Sequence, residues 1–186
     1  VKYLIKNTDQ VVRKANEHIQ IIEKQRELFD KYIEKLSHLE LRNYPSLHQA
    51  ILVIQKGRLI QKIADDLKKF IVELGNEGIL LKTRLKEITA GIDKEVNLVI
   101  KDYTRLDTKR SKIILETLSY DEILAQENIL RVLAYETPEQ NAPIKGWRIL
   151  SRTSLPESDI AKLLKEKDSL GEVIHSNARS YFRIIG

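Results

Sequence analysis

The chain has no cysteine and no methionine, a single tryptophan, four prolines and seven glycines among its 186 residues. Without cysteine there is no disulfide, no thiolate metal site and no cysteine nucleophile, a usage compatible with a reducing cytoplasm. Aromatic residues are only 6%, and with so few Pro and Gly the turn-dense pattern of a β-rich protein is disfavoured. No apolar run approaches the roughly 20 residues that a bilayer span needs, and no charged-then-apolar leader opens the chain. The expectation is a soluble, cytoplasmic protein with no membrane partner. With Val1 at its head and no methionine anywhere, the sequence is expected to be a piece of a longer reading frame.

What the chain does have is aliphatic residues and charge. Hydrophobic residues make up 42% and charged residues 32%, enough apolar content for one ordinary domain or two small ones. Leu, Ile, Lys and Glu are good helix formers, so the predicted class is all-α. The net charge of +5 permits contact with nucleic acid without requiring it. From Glu136 to Gly186 there are eight Lys and Arg against seven Asp and Glu, so most of the surplus lies in the first 135 residues.

The pattern along the chain divides it into four parts. Residues 1–6, VKYLIK, alternate and read as the last strand of a missing upstream domain. Residues 7–135 read as a helical spine. Its first helix carries Val12, Ala15, Ile19, Ile22, Phe29, Ile33 and Leu36 on a narrow seam interrupted by Arg26, spans on the order of 45 to 50 Å, and ends before Pro45. Ser46 is expected to cap a second helix, whose stripe runs from Leu47 through Phe70 to Leu74 and which Gly75 stops. A third helix is expected from Ile79 to Tyr103, giving an elongated antiparallel three-helix bundle. Shorter helices follow to Tyr135, one opened by a capping box from Ser119 to Glu122. Residues 136–145, with Pro138 and Pro143, read as a linker. Residues 146–186 read as a small helical subdomain: a short helix, a tight turn at Thr153 to Leu155, a helix opened by Pro156 and a second short pair. Helix, hairpin turn and helix together direct backbone donors at a phosphate oxygen.

Several residue groups are read as structural rather than chemical. His18, His38, His48 and His175 are scattered, so no metal site is expected. Asp65 and Asp66 diverge on a helix and make no acid and base pair. Gly75 and Gly78 form a hinge rather than a nucleotide loop, since no strand precedes them. Lys56, Arg58, Lys62, Lys68 and Lys69, and Lys101, Arg105, Lys109, Arg110 and Lys112, read as solvated positive faces by default, with a phosphate track as the alternative. Trp147 reads as a packing anchor between tail and spine.

The order of IVELGNEG followed by Leu80 and Leu81, then IKDY ending at Tyr103, then GWRILSRTSLPESDI from Gly146, resembles the bacterial DNA integrity scanning family of diadenylate cyclases. The resemblance covers nearly the whole chain and implies the family's middle helical domain plus the start of its helix-hairpin-helix domain. It implies that the intact protein joins two ATP into cyclic di-AMP using Mg or Mn. It implies also a homo-octamer, associated with the nucleoid, whose tail engages branched DNA without sequence preference. The turn from Arg152 to Pro156 is one residue shorter than the family's Lys-Ile-Pro-Arg-Leu-Pro and lacks its first proline. Arg183 to Gly186 match the lead into the family's Gly-hydrophobic-Gly hairpin, with Gly186 as its first glycine. The DNA-contacting residues implied are Arg148, Arg152, Thr153, Ser154, Arg183 and Gly186. The cyclase motifs Asp-Gly-Ala and Arg-His-Arg are not in these residues, so no catalytic residue and no cofactor is assigned to this chain. The alternative reading is a self-contained helical interaction module that associates, like a coiled coil, through the seam of the first helix.

Overall fold

The structure, a computed structural model, describes residues 2–39, 44–137, 147–151 and 153–166. Those residues are all-α, as the composition predicts. The spine starts with α1 (Lys2–His38), whose 37 residues span on the order of 55 Å. It returns through α2 (Tyr44–Val72), turns at a short 3-10 segment (Gly75–Glu77), and runs back as α3 (Gly78–Thr89) and α4 (Ile92–Tyr103). Arg84 meeting Glu23, and Arg26 meeting Ile88, show that α3 lies parallel to α1.

The reading of residues 1–6 as a strand is corrected: Lys2–Lys6 belong to α1. A lone strand leaves its backbone donors and acceptors without partners, whereas a helix satisfies them within the segment. The third helix is also not continuous. It breaks at Gly91, whose φ of +81° lies in the left-handed region that glycine enters without strain. Arg26 explains itself there. Its guanidinium donates to the carbonyl oxygens of Ile88 at 3.2 Å and Ala90 at 2.6 Å, which the break leaves without helical donors. Its Nε pairs with Asp30 at 2.9 Å, and the group stands 5.9 Å from the centre of the Phe29 ring.

The seam of α1 is used inside the chain. Ala15, Ile19, Ile22, Phe29 and Leu36 are buried in one core with Leu47, Ile51, Ile54 and Ile60 of α2, Leu85 of α3 and Val96 and Val99 of α4. At Gly57 the helices approach so closely that an added Cβ would lie 2.9 Å from Phe29 Cε2. An intramolecular partner fills the seam, so the interaction-module reading loses the surface it needs. Phe70, expected in the α2 stripe, is 60% exposed. Ser46 is not a cap either. It lies inside α2, buried, with its hydroxyl bonded to the Tyr103 hydroxyl.

The hinge follows the expected glycines for two different reasons. Gly75 takes φ +61° past the end of α2. Gly78 is right-handed and buried, and an added Cβ there would strike the Ile71 carbonyl oxygen. Beyond α4, α5 (Thr108–Glu116), α6 (Tyr120–Leu124) and α7 (Gln126–Val132) pack on α2 and α4. The capping box is present: Glu122 N donates to Ser119 Oγ at 3.3 Å, and Ser119 N donates to Glu122 Oε1 at 3.0 Å. That backbone bond holds the Glu122 carboxyl below its usual pKa. In the tail, α8 (Trp147–Leu150) rests on α4, and α9 (Glu157–Glu166) joins it through Leu150, Ile160, Trp147, Leu155 and Leu164.

Candidate functional site at the joint between spine and tail

A helix of four residues has no stability of its own, and its first backbone N–H groups need acceptors from outside. The residue before α8 is Gly146, which has no side chain to offer. Asp102, in the last turn of α4 and 3% exposed, supplies both: Trp147 N donates to Oδ1 at 2.7 Å and Arg148 N to Oδ2 at 3.1 Å. A carboxylate at a helix N-terminus is favoured by the helix dipole as well.

Arg148 completes the joint. It is 6% exposed, and its Nη2 donates to the Ile33 carbonyl at 3.1 Å and to Ser37 Oγ at 2.6 Å, both on α1. Its Nε lies 3.7 Å from Glu95 Oε2 of α4. One side chain therefore ties α8 to two helices of the spine. Lys101 Nζ stands 4.2 Å from the centre of the Trp147 ring, a cation–π contact across the same joint.

Tyr103 anchors the site from below. Its hydroxyl meets Ser46, and its carbonyl accepts from Tyr135 Oη at 2.5 Å. Burial pushes the Tyr103 phenol above its ordinary pKa; the Ser46 bond opposes this, the Asp102 charge adds to it and Arg148 opposes it. Burial raises Tyr135 as well, with Arg105 acting against it. The IKDY run and the Trp-Arg pair of the tail, far apart in sequence, are thus two halves of one lock.

The structure redistributes the residues expected to contact DNA. Arg148 turns inward: its guanidinium faces the spine, where the Ile33 carbonyl, the Ser37 hydroxyl and the Glu95 carboxylate lie. Thr153 braces the turn, donating to the Leu150 carbonyl at 2.5 Å and accepting from Leu155 N at 3.3 Å. Ser154 is exposed beside it. Arg152, Arg183, Gly186 and most of the 136–145 linker lie outside the described residues. At the start of α9, Glu157 and Asp159 put negative charge where a phosphate would sit. The hinge glycines stand at the far end of the α3–α4 run.

Other sequence expectations resolve locally. Lys56 donates to Gln25 Oε1 at 2.5 Å, and burial lowers its pKa. Arg58 reaches the Glu116 carbonyl at 3.5 Å, and Lys62 stands 5.0 Å from the centre of the Tyr120 ring. These three face neighbouring helices more than solvent. His18 bonds within its own helix to Lys14 O, and His48 meets Gln126. Among the described residues no group of three His, Asp or Glu could hold a metal ion, and no helix is long and apolar enough to cross a membrane. Sequence reasoning did not foresee Asp102, Ser37 or Glu95 in the joint. The absence of a capping side chain at Gly146 was the available signal for Asp102.

Residues 5–142, spanning nearly all of α1 and the helices through α7, match the family described as the DisA bacterial checkpoint controller linker region. The DNA integrity scanning protein DisA of Clostridium botulinum (strain Alaska E43 / Type E3) is 30% identical over 183 residues, covering 95% of this chain and 52% of that protein. The protein of the same name from Acetivibrio thermocellus is 28% identical over 194 residues, covering 100% of this chain and 54% of its own length. That from Clostridioides difficile (strain 630) is 26% identical over 192 residues, with the same coverage. The chain spans about half the length of the curated relatives it matches. Spine and tail are aligned together in these relatives, and with three quarters of its residues inside the family match this chain belongs to the DisA linker family.

Proposed function

We propose that this chain is the non-catalytic spine and part of the DNA-binding tail of a DNA-scanning diadenylate cyclase. The whole protein would join two ATP into cyclic di-AMP with Mg or Mn in a separate cyclase domain. It would assemble as a homo-octamer in the bacterial cytoplasm and be inhibited when its tail engages branched DNA. The observation that supports this best is the buried joint. A tail bonded to two spine helices through Asp102 and Arg148 passes a displacement at the tail into the spine as a rigid movement. A tail on a loose tether would absorb that displacement. The relatives' name, DNA integrity scanning protein, supports DNA as the partner.

The test uses the purified chain. Incubated with ATP and Mn, it should form no cyclic dinucleotide. In fluorescence anisotropy with a labelled four-way junction it should bind with a Kd of roughly 1 to 100 µM at physiological salt, the range of contacts that read only the backbone. Cyclisation by the pure chain would overturn the non-catalytic assignment. Binding that depended on base sequence would overturn the scanning role.

A further inference from the structure

The spine and the tail enclose a groove of about 820 Å³ between α4, α5 and the α8–α9 turn. Four lysines line it. Lys94 and Lys101 are seven residues apart on one face of α4, and Lys109 and Lys112 are three apart on one face of α5. Trp147 and Ser151 of the tail close the other side. Two carboxylates also line the groove. Asp93 is already engaged, accepting from Gln61 Nε2 at 3.1 Å and Asn97 Nδ2 at 3.4 Å, and Glu157 begins α9. Among the described residues none of the four lysines is in an ion pair. Four lysines outside any ion pair around one concavity, one of them, Lys101, stacked on Trp147, outnumber the two carboxylates there, and a bound polyanion offsets their mutual repulsion.

We propose that this groove holds the phosphodiester backbone of a nucleic acid strand, so that the grip on DNA is shared between the tail and α4 and α5 of the spine. The inference rests on the DNA-binding reading above and extends it to residues that the tail hairpin does not contain. Lysines offer point charges without the planar fork of arginine, which suits phosphates whose positions vary along a strand. The groove is open, and its lysines come from two helices, α4 and α5. It therefore fits an extended chain of charges rather than a compact nucleotide. Contacts of this kind carry no base information and depend strongly on salt.

The experiment compares three forms of the full chain in anisotropy titrations with a labelled single strand of mixed sequence and with a labelled four-way junction, each across a salt series. The forms are the wild type, a groove variant with Lys94→Gln, Lys109→Gln and Lys112→Gln, and a control variant with Lys68→Gln, Lys69→Gln and Lys82→Gln. All six lysines lie at helix surfaces, and circular dichroism with thermal melting establishes that both variants fold. The groove variant should bind DNA about tenfold more weakly or worse near 0.1 M salt, and its plot of log K against log salt should be shallower by about 2 to 3. The control should bind within about twofold of wild type, since its lysines are not among those that line the groove. Equal losses in the two variants overturn the groove assignment and leave the DNA-binding reading standing. No DNA binding by wild type overturns both. Amide shifts at Lys94 and Lys109 on adding inorganic phosphate or ATP, without loss of DNA affinity in the groove variant, overturn it too and assign the groove to a small phosphate ligand.

Discussion

The two ends of the α3–α4 run are held by different physics. At the hinge, the 3-10 segment has no side-chain cap, and Phe70, Val72, Ile79 and Leu80 around it are 58 to 80% exposed. Position there is set by backbone: a left-handed Gly75, and a Gly78 that lets two turns of chain touch. At the joint the determinants are side chains, and they are buried. Asp102, Tyr103 and Arg148 bond to α1, α2 and α8 with little solvent to screen them. A steric constraint of the first kind tolerates most changes of polarity and few additions of bulk. An electrostatic constraint of the second kind does the reverse.

The largest effect is expected where buried backbone donors lose a charged acceptor. Asp102→Ala removes both acceptors from the first backbone N–H groups of α8, at Trp147 and Arg148. It should cost about 3 kcal/mol in urea unfolding, with the tail melting before the spine. Gly78→Ala adds bulk against the Ile71 carbonyl and should cost about 2 kcal/mol, lowering a single cooperative transition instead of splitting off the tail. Tyr103→Phe loses the bond to Ser46 and should cost about 1 kcal/mol near neutral pH.

The same variant has a pH signature. The folded state keeps the Tyr103 phenol protonated above its ordinary pKa, so its contribution is intact below about pH 10 and is lost as pH rises beyond it. Tyr103→Phe should flatten that alkaline loss in part. Tyr120, pushed up to about 12 by burial and its bond to Asp66, and Tyr135 maintain the remainder. The smallest effect belongs to the hinge surface: Leu80→Ser, at a side chain 80% exposed, should change stability by less than about 0.5 kcal/mol.

Much of the spine could be read from sequence because its determinants are local and periodic. The α1 seam, the α2 stripe, the stop at Gly75 and the capping box at Ser119 each depend on residues within a few turns of one another. The misses have a common cause. The break at Gly91 is stabilised by Arg26, 64 residues away from the Ala90 carbonyl it binds. Ser46, inside α2, has its hydroxyl bonded to that of Tyr103, 57 residues away. Arg148, in a short helix beside a turn, carries the sequence signature of a surface cation, and only the fold brings Ser37, Glu95 and the Ile33 carbonyl around it. Motifs were visible as strings, but the pairing of IKDY with Trp147 and Arg148 is a tertiary fact.

The central claim is that the Asp102 carboxylate seats the tail on the spine. Amide hydrogen exchange, followed by mass spectrometry in the full chain and its Asp102→Asn variant, tests it most directly. In the unmodified chain the amides of Trp147 and Arg148 should exchange about as slowly as those of α4. In Asp102→Asn, which keeps the shape and removes the charge and one acceptor, they should exchange at least about tenfold faster while α2 is unchanged. Equal exchange at Trp147 and Arg148 in the two proteins would contradict the claim.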